Sequence, residues 1–578
     1  MKDINILFSS INAKYVHSSL AIRSLYSYTS MYKDYIQMEE FTINHNENFI
    51  LSEIFKLKPD VLCLSCYIWN IEIIKNLIIS IKKIMPNTII VLGGPEVSYD
   101  FDEYLGQVDF IAIGEGEATI KELIEFFLFS DKSISDIKGI SYKKDDKIIV
   151  NEAREPLSLD SIPFAYQFGL EGLDNKIIYY ETSRGCPYSC QYCLSSIDKQ
   201  LRFLSMPRVE HELKIFLDEN VRQVKFIDRT FNCNKNHAMG IWKFLIENDN
   251  GITNFHFEIS ADLLTEEMLS LLDTARQGLF QFEIGVQSTN TDTLSIIKRK
   301  SNLEKLFKSV GSIGVNIDKH LDLIIGLPNE NYESFRNSFN TVYNLNPNQL
   351  QIGFLKLLKG SGLRQDVDKY GIAYKDKAPY EVLYTNDISF EEILRLKYIE
   401  DMVDIFYNSN KFDYTIKFII NYFSTPFDFY SSLADFWEKN NYHTLSHNKM
   451  ALFSIMRDFI LNELPNLSDE IEDLLKFDMY LNDNIKNPPT WIRDERDEKI
   501  KEKVKIFYQK EEHRDIYFND LFKYTSQQLS RICHIEVFRY NVVEWIEKKS
   551  ALKRKDTYIL FKYAVKGESE FDFFEIEL

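Results

Sequence analysis

Three of the chain's seven cysteines, Cys186, Cys190 and Cys193, fall in one short stretch at spacings of four and three residues. Thiolates are soft ligands that select iron–sulfur clusters, zinc or copper(I). Three of them on one loop, with no fourth nearby, leave a metal or cluster with an open position. An open position separates a catalytic centre from a closed structural one. Gly185 and Pro187 flank the first cysteine and bend the backbone so that the sulfurs can converge. A structural zinc site completed by a distant Cys233 or His256 draws on the same residues and stands as the alternative.

Two runs of strand–helix alternation must position this loop. In the first, apolar segments suited to buried parallel strands lie at residues 4–10, 35–43, 61–67, 88–92 and 110–113, with helical segments between them. That pattern predicts an α/β domain with a doubly wound, flavodoxin- or Rossmann-like sheet, which binds ligands at the carboxyl ends of its strands. The loops there carry Tyr15 and His17, Ser65 and Tyr67, Gly93-Gly94, and Gly114-Glu115-Gly116-Glu117. Paired glycines let a bulky flat ligand approach the backbone, and a tight strand-to-helix turn needs them equally. His17 reads either as a helix-start histidine bonding local backbone or as a metal ligand. Cys63 and Cys66 lie three apart on an extended strand and point to opposite faces. They read as a core thiol and a pocket neighbour respectively, not as a disulfide.

The second run begins at Ile177, with strands predicted at 177–181, 223–228, 254–260, 280–286, 318–325 and 349–355. Six such units predict a partial (β/α)6 barrel, again with chemistry at the carboxyl ends. The cysteine loop follows the first strand. A hairpin near 139–150 and a proline-punctuated linker to Phe164 connect the two runs. The expected domains are therefore 1–135, a connector 136–175, a barrel 176–362, and a mostly helical domain 363–578. In the last, Asn487-Pro488-Pro489 marks a break, and 557–565 with 571–578, joined through Gly567, form a closing hairpin. Cys533-His534 reads as a buried thiol beside a surface histidine.

The CxxxCxxC loop, with Tyr192 just before its last cysteine, closely resembles that of radical S-adenosylmethionine (SAM) enzymes. The resemblance implies a [4Fe–4S] cluster on Cys186, Cys190 and Cys193, with SAM on the fourth iron and a 5′-deoxyadenosyl radical as product of its cleavage. It further implies SAM contacts from Tyr192, Asp228, Ser260, Glu283, Gln287, Arg299 and Gly326. Asp228 is a rough match to the motif that binds the amino group, and the neighbouring Arg229 departs from it. Glu283 and Gln287 belong to a G-x-Q-S-type strand end, and Gly326 to an adenine-side turn. The N-terminal loops resemble the cobalamin-binding domains that precede many such barrels. That likeness implies a cobalamin site of Tyr15, His17, Ser65, Tyr67, Gly93, Gly94, Glu115, Gly116 and Glu117. The Asp-x-His-x-x-Gly motif of other cobalamin proteins is absent, so the expectation is a corrinoid with no histidine on cobalt.

Length and composition bound the rest. At 578 residues the chain is too long for one core and implies three or four domains. A net charge of −19 argues against a broad nucleic-acid footprint and hence against a methylthio-transferring tRNA enzyme. Lys2 and Asp3 lead straight into a strand-like run, no apolar stretch approaches a membrane span, and the cysteine usage suits a reducing compartment. A cytoplasmic protein is expected. The resemblance implies a methyltransferase acting at an unactivated carbon or phosphorus of a small molecule or peptide, served by a low-potential donor such as flavodoxin or ferredoxin. The alternatives are radical rearrangement or cyclisation without methyl transfer, and a non-catalytic corrinoid-binding iron–sulfur sensor or carrier.

Overall fold

The computed structural model describes residues 4–129, 132–492, 498–548, 551–565 and 571–578, so Met1–Asp3 and Gly567 lie outside the described residues. The chain divides into two compact units, 1–393 and 394–578.

The first unit opens with a seven-stranded sheet: β1 (Ile6–Asn12), β2 (Ile36–Thr42), β3 (Val61–Ser65), β4 (Ile89–Gly93), β5 (Phe110–Ala112), β6 (Ile140–Lys144) and β7 (Lys147–Val150), in the order 2-1-3-4-5-6-7. Strands β1 to β5 are parallel, and β6 and β7 add an antiparallel hairpin to the same sheet. Every residue of β1 and β3 is buried, as a central strand covered on both faces requires. Helix α1 (Leu20–Tyr28) and a later helix, Glu117–Phe129, cover one face. The helix Ile71–Ile84 covers the other, burying Ile71, Ile74, Leu77, Ile78 and Ile81 at helical spacing.

Six parallel barrel strands follow in sequential order: Ile178–Tyr180, Gln223–Phe226, Asn254–Ile259, Phe280–Gln287, Asp318–Ile325 and Gln349–Phe354. Each lies within two residues of its predicted limits. The loop after β1 pairs directly with the first barrel strand: the Ile177 N–H donates to the Val16 carbonyl at 2.7 Å, and the Ser18 hydroxyl donates to the Ile177 carbonyl at 2.8 Å. Lys359, 4% exposed, reaches back from beyond the last strand to Glu103 at 2.7 Å and the Tyr104 hydroxyl at 2.9 Å. The carboxyl ends of both sheets therefore border a common space.

The second unit is mostly helical, with longest helices Pro426–Lys439, Lys449–Glu463 and Ser468–Asn482. Its antiparallel sheet has three strands, Cys533–Tyr540, Arg554–Lys562 and Asp572–Ile576, one more than the predicted hairpin. The added strand buries Cys533, Ile535, Glu536 and Val537, and the half-buried His534 bonds Glu536 at 3.0 Å. Among the described residues no helix is long and apolar enough to cross a membrane.

Candidate active site

The cysteine loop is anchored before it reaches its first thiol. Asp228, wholly buried at the end of the second barrel strand, accepts the Thr182 N–H at 3.0 Å, the Thr182 hydroxyl at 2.7 Å and the Ser183 hydroxyl at 2.5 Å. His237 completes the anchor with a 3.0 Å bond to the Thr182 hydroxyl. Gly185 then turns at φ +90°, where a Cβ would lie 2.5 Å from the Gln200 carbonyl oxygen, so only glycine fits. The Cys186 N–H donates to Asp198 O at 3.0 Å and the Gln191 N–H to Ile297 O at 2.9 Å.

Cys186 and Cys190 are buried, Cys193 is half-buried, and all three are free thiols. Burial pushes the Cys190 thiol up, the Arg299 charge opposes this, and Cys193 and Cys186 are near enough to raise it further. Among the described residues no three His, Cys, Asp or Glu side chains converge tightly enough to hold a single ion. Thiolates around a four-iron cluster bind one iron each and need no such convergence, so the donor set fits the cluster.

None of the seven expected SAM contacts lines the large cavity, and Tyr192, Gln287 and Arg299 meet around Gly285. Arg299 donates to the Tyr192 hydroxyl at 3.1 Å and to the Gly285 carbonyl, leaving its buried Nε without a partner. Gln287 sits at φ +72° beside a register shift in the fourth strand, with its buried Oε1 unpartnered. These orphaned buried atoms suit a polar ligand. Gly326, at φ +86°, packs against Val382. The Ser260 hydroxyl donates to Asp262 at 2.6 Å. Glu283 is held by Lys225 and His256, each at 2.9 Å; burial alone would raise its carboxyl, but the two partners hold it down to about 2. The seventh, Asp228, has both oxygens spent on the cysteine loop.

A cavity of about 870 Å³ joins the two sheets. It runs from the face of β3, β4 and β5 beneath α1 to the cysteine loop, and its lining takes in Ser65, Gly93 and Gly94 at one end and Cys193, Leu194 and Ser195 at the other. The buried Ser65 hydroxyl has no partner. Gly94, at φ +108°, lies so close that a Cβ would meet the Cys66 carbonyl oxygen at 2.5 Å. An orphaned hydroxyl beside a side-chain-free cradle fits a large ligand's tail. Tyr67, stacked on Trp69 at 4.4 Å, adds a flat wall.

The cavity also corrects two expectations. Cys63, not Cys66, lines it, because Cys63 shares the Ser65 face of β3 while Cys66 turns into the opposite core. Tyr15 lies outside its lining, 56% exposed and edge-on to His45. His17 does line it, but its Nδ1 is bound to the Tyr179 hydroxyl of the first barrel strand; burial and then Lys14 lower its pKa.

Glu115 and Glu117 border the cavity with their carboxylates committed elsewhere. Arg184, two residues before Cys186, bonds Glu117 at 2.6 Å, Glu181 at 2.8 Å and Glu115 at 3.2 Å. Arg202 takes the other Glu115 oxygen at 2.5 Å. The Gly-Glu-Gly-Glu loop thus clamps the N-terminal sheet to the cysteine loop. Sequence reading misses Arg184 and Arg202; the signal was a charged residue inside the cysteine motif opposite an acidic loop.

Three family models match successive stretches of the chain. Residues 8–124 match the B12 binding domain and residues 180–342 the radical SAM superfamily. The chain carries a B12-binding domain followed by a radical SAM domain. Residues 368–561 match a family described as protein of unknown function (DUF4080). The cobalamin-dependent radical SAM methyltransferase TokK of Streptomyces tokunonensis is 27% identical over 359 residues, covering 56% of this chain and 51% of that protein. The 2-(S-pantetheinyl)-carbapenam-3-carboxylate methyltransferase of Streptantibioticus cattleyicolor is 28% identical over 324 residues, or 49% of this chain and 45% of that protein. The chain thus spans about half the length of these curated relatives. The structure of the cobalamin-dependent S-adenosylmethionine radical enzyme OxsB, with aqua-cobalamin and SAM bound, superposes with a TM-score of 0.56 at 16% identity. It covers 90% of this chain and 84% of that one, a likeness of fold.

Proposed function

We propose that the chain is a cobalamin-dependent radical SAM methyltransferase acting on an unactivated carbon or phosphorus of a small molecule or peptide. In this reading Cys186, Cys190 and Cys193 hold a [4Fe–4S] cluster. SAM lies against Tyr192, Ser260, Glu283, Gln287, Arg299 and Gly326, and cobalamin against Ser65, Tyr67, Gly93, Gly94 and the Glu115–Glu117 loop. Bound there, these groups supply hydrogen-atom abstraction from an inert bond and a transferable methyl group.

The chain's own residues bind, orient and exclude. Asp228 and His237 fix the start of the cysteine loop, so the thiols are presented from a rigid base. The Ser65 hydroxyl is free to donate to a polar group on a corrinoid tail. Arg299, fixed by Tyr192 and Gly285, keeps one N–H for a carboxylate. Ile162, Pro163 and Phe164 of the connector wall the cavity with apolar surface, which keeps water from a reactive centre. A reductant of low potential, of the flavodoxin or ferredoxin kind, is the implied partner.

The observation that supports this reading best is the single cavity lined by both Ser65–Gly94 and Cys193. The test incubates anaerobically reconstituted protein with methyl-labelled SAM and a small-molecule extract. Label in a new product supports methyl transfer. Consumption of a substrate with 5′-deoxyadenosine formed and no label transferred would replace it with rearrangement or cyclisation. Neither outcome, with cofactors bound, would leave a carrier or sensor.

A further inference from the structure

The charged side chains that line the cavity pair off almost completely. Arg184 is taken by three glutamates. Arg208 is taken by Glu212 at 2.7 Å and Lys225 by Glu283 at 2.9 Å, and Glu96 accepts the Tyr380 hydroxyl. His17 is tied to Tyr179. Two groups are left over. Among the described residues, neither the Arg229 guanidinium nor the Glu258 carboxyl has a hydrogen bond or an ion pair, although both line the cavity.

These two stand at the ends of neighbouring barrel strands, the second and the third. The Arg229 charge is felt at Glu258, yet no Glu258 oxygen comes within 4.0 Å of an Arg229 nitrogen, so a gap separates them. The Arg229 charge is also felt at Tyr67, on the wall contributed by the N-terminal sheet. The gap therefore lies on the cavity side of the barrel. The Tyr192–Arg299–Gln287 group lines no part of that cavity. An uncommitted cation facing an uncommitted carboxyl across a gap is a receptor for a molecule carrying both charges.

We infer that Arg229 and Glu258 form the substrate-recognition pair, and that the substrate is amphoteric, with a carboxylate for Arg229 and an ammonium or amide N–H for Glu258. This rests on the methyltransferase reading, since it places the substrate between the corrinoid loops and the cysteine loop. A guanidinium fork matches a carboxylate with two parallel bonds, which a lysine cannot reproduce. Burial, then the Glu283 charge, pushes the Glu258 carboxyl up to about 7. An ammonium ligand needs the ionised form, so affinity should weaken as pH falls from 8 to 6. SAM carries the same pair of charges, and the experiment must separate the two sources.

Reconstituted wild-type, Arg229→Ala, Arg229→Lys and Glu258→Gln proteins are equilibrated with a small-molecule extract, ultrafiltered, and the retained compounds identified by mass spectrometry. Labelled SAM is titrated in parallel, and iron and corrinoid are counted in every sample. The expected result is a retained compound bearing acid and amine, lost at least tenfold by Arg229→Ala and partly kept by Arg229→Lys. Glu258→Gln should bind it equally at pH 6 and 8, and SAM affinity should change less than threefold in all variants. Equal retention by Arg229→Ala, retention of neutral compounds alone, or no retention by wild type would overturn the inference. A tenfold loss of SAM affinity in Arg229→Ala would also overturn it, by assigning the pair to SAM. Wild-type protein that takes up neither iron nor corrinoid would instead bring down the methyltransferase reading, and this inference with it.

Discussion

Arg184 is where a single substitution tests the coupling between the two domains. Replacing it by Met keeps the stem and removes the charge. Its guanidinium is 17% exposed and Glu117 is 5% exposed, so the pair is buried, and removing one partner of a buried pair costs about 3–5 kcal/mol. The local inventory supports the full range. Glu115 keeps Arg202 at 2.5 Å and Glu117 keeps the Ser24 hydroxyl at 3.0 Å, but Glu181 loses its ion pair. At about 2–4 °C per kcal/mol, the first thermal transition should fall by on the order of 10 °C. Because Arg184 lies two residues before Cys186, iron content after anaerobic reconstitution should fall by at least half. The double variant Arg184→Met with Glu181→Gln should recover part of both losses, since it removes the stranded carboxylate. The acid limb offers a second check. Burial would raise the Glu117 carboxyl, but Arg184 outweighs it and holds the group below its ordinary value. That stability is present above the unfolded pKa and is lost as pH falls through the lower folded one. Arg184→Met should therefore flatten the loss of stability below about pH 4.5. Wild-type midpoint and wild-type iron in Arg184→Met would refute the clamp.

Two further substitutions separate the corrinoid end of the cavity from the cluster end. Gly94→Ala places a Cβ against the Cys66 carbonyl, and corrinoid content should drop at least tenfold while iron is unchanged; equal loss of both would point to misfolding instead. His17 is bound to Tyr179, so electron paramagnetic resonance of the cob(II)alamin form should show no strong protein-derived nitrogen splitting in either wild type or His17→Ala. A splitting that vanishes in the variant would make His17 a cobalt ligand.

The strands were legible because their signal is local: apolar runs such as Ile6–Phe8 and Val61–Leu64 suit strands buried on both faces. The cysteine loop and the paired glycines were legible because their spacing alone restricts the chemistry. What the sequence left obscure depends on which direction a side chain takes after the strand ends. Asp228 sits where a ligand contact is expected, yet it turns back to the chain and anchors Thr182 and Ser183. Glu115 and Glu117 resemble ligand-loop residues, but their partner Arg184 is more than sixty positions away, and no periodicity links them. Strand alternation separates Cys63 from Cys66, and Cys63 is a core thiol as expected, but the cavity opens on its face and not on that of Cys66, since alternation gives opposition but not the side on which a cavity opens. Arg229 and Glu258 stand out only after every other charge in the cavity has been paired.

The central claim is that the Cys186–Cys193 loop carries a [4Fe–4S] cluster beside a corrinoid in the same chain. The most direct measurement is iron, sulfide and corrinoid content, with 5′-deoxyadenosine formation, on protein reconstituted without air. Wild type should hold about four irons per chain and bind a corrinoid, and it should form 5′-deoxyadenosine under a strong reductant. The triple variant Cys186→Ala, Cys190→Ala, Cys193→Ala should lose the iron and the 5′-deoxyadenosine while keeping the corrinoid. Stoichiometric zinc without iron in the wild type, or unchanged iron in the triple variant, would contradict the account.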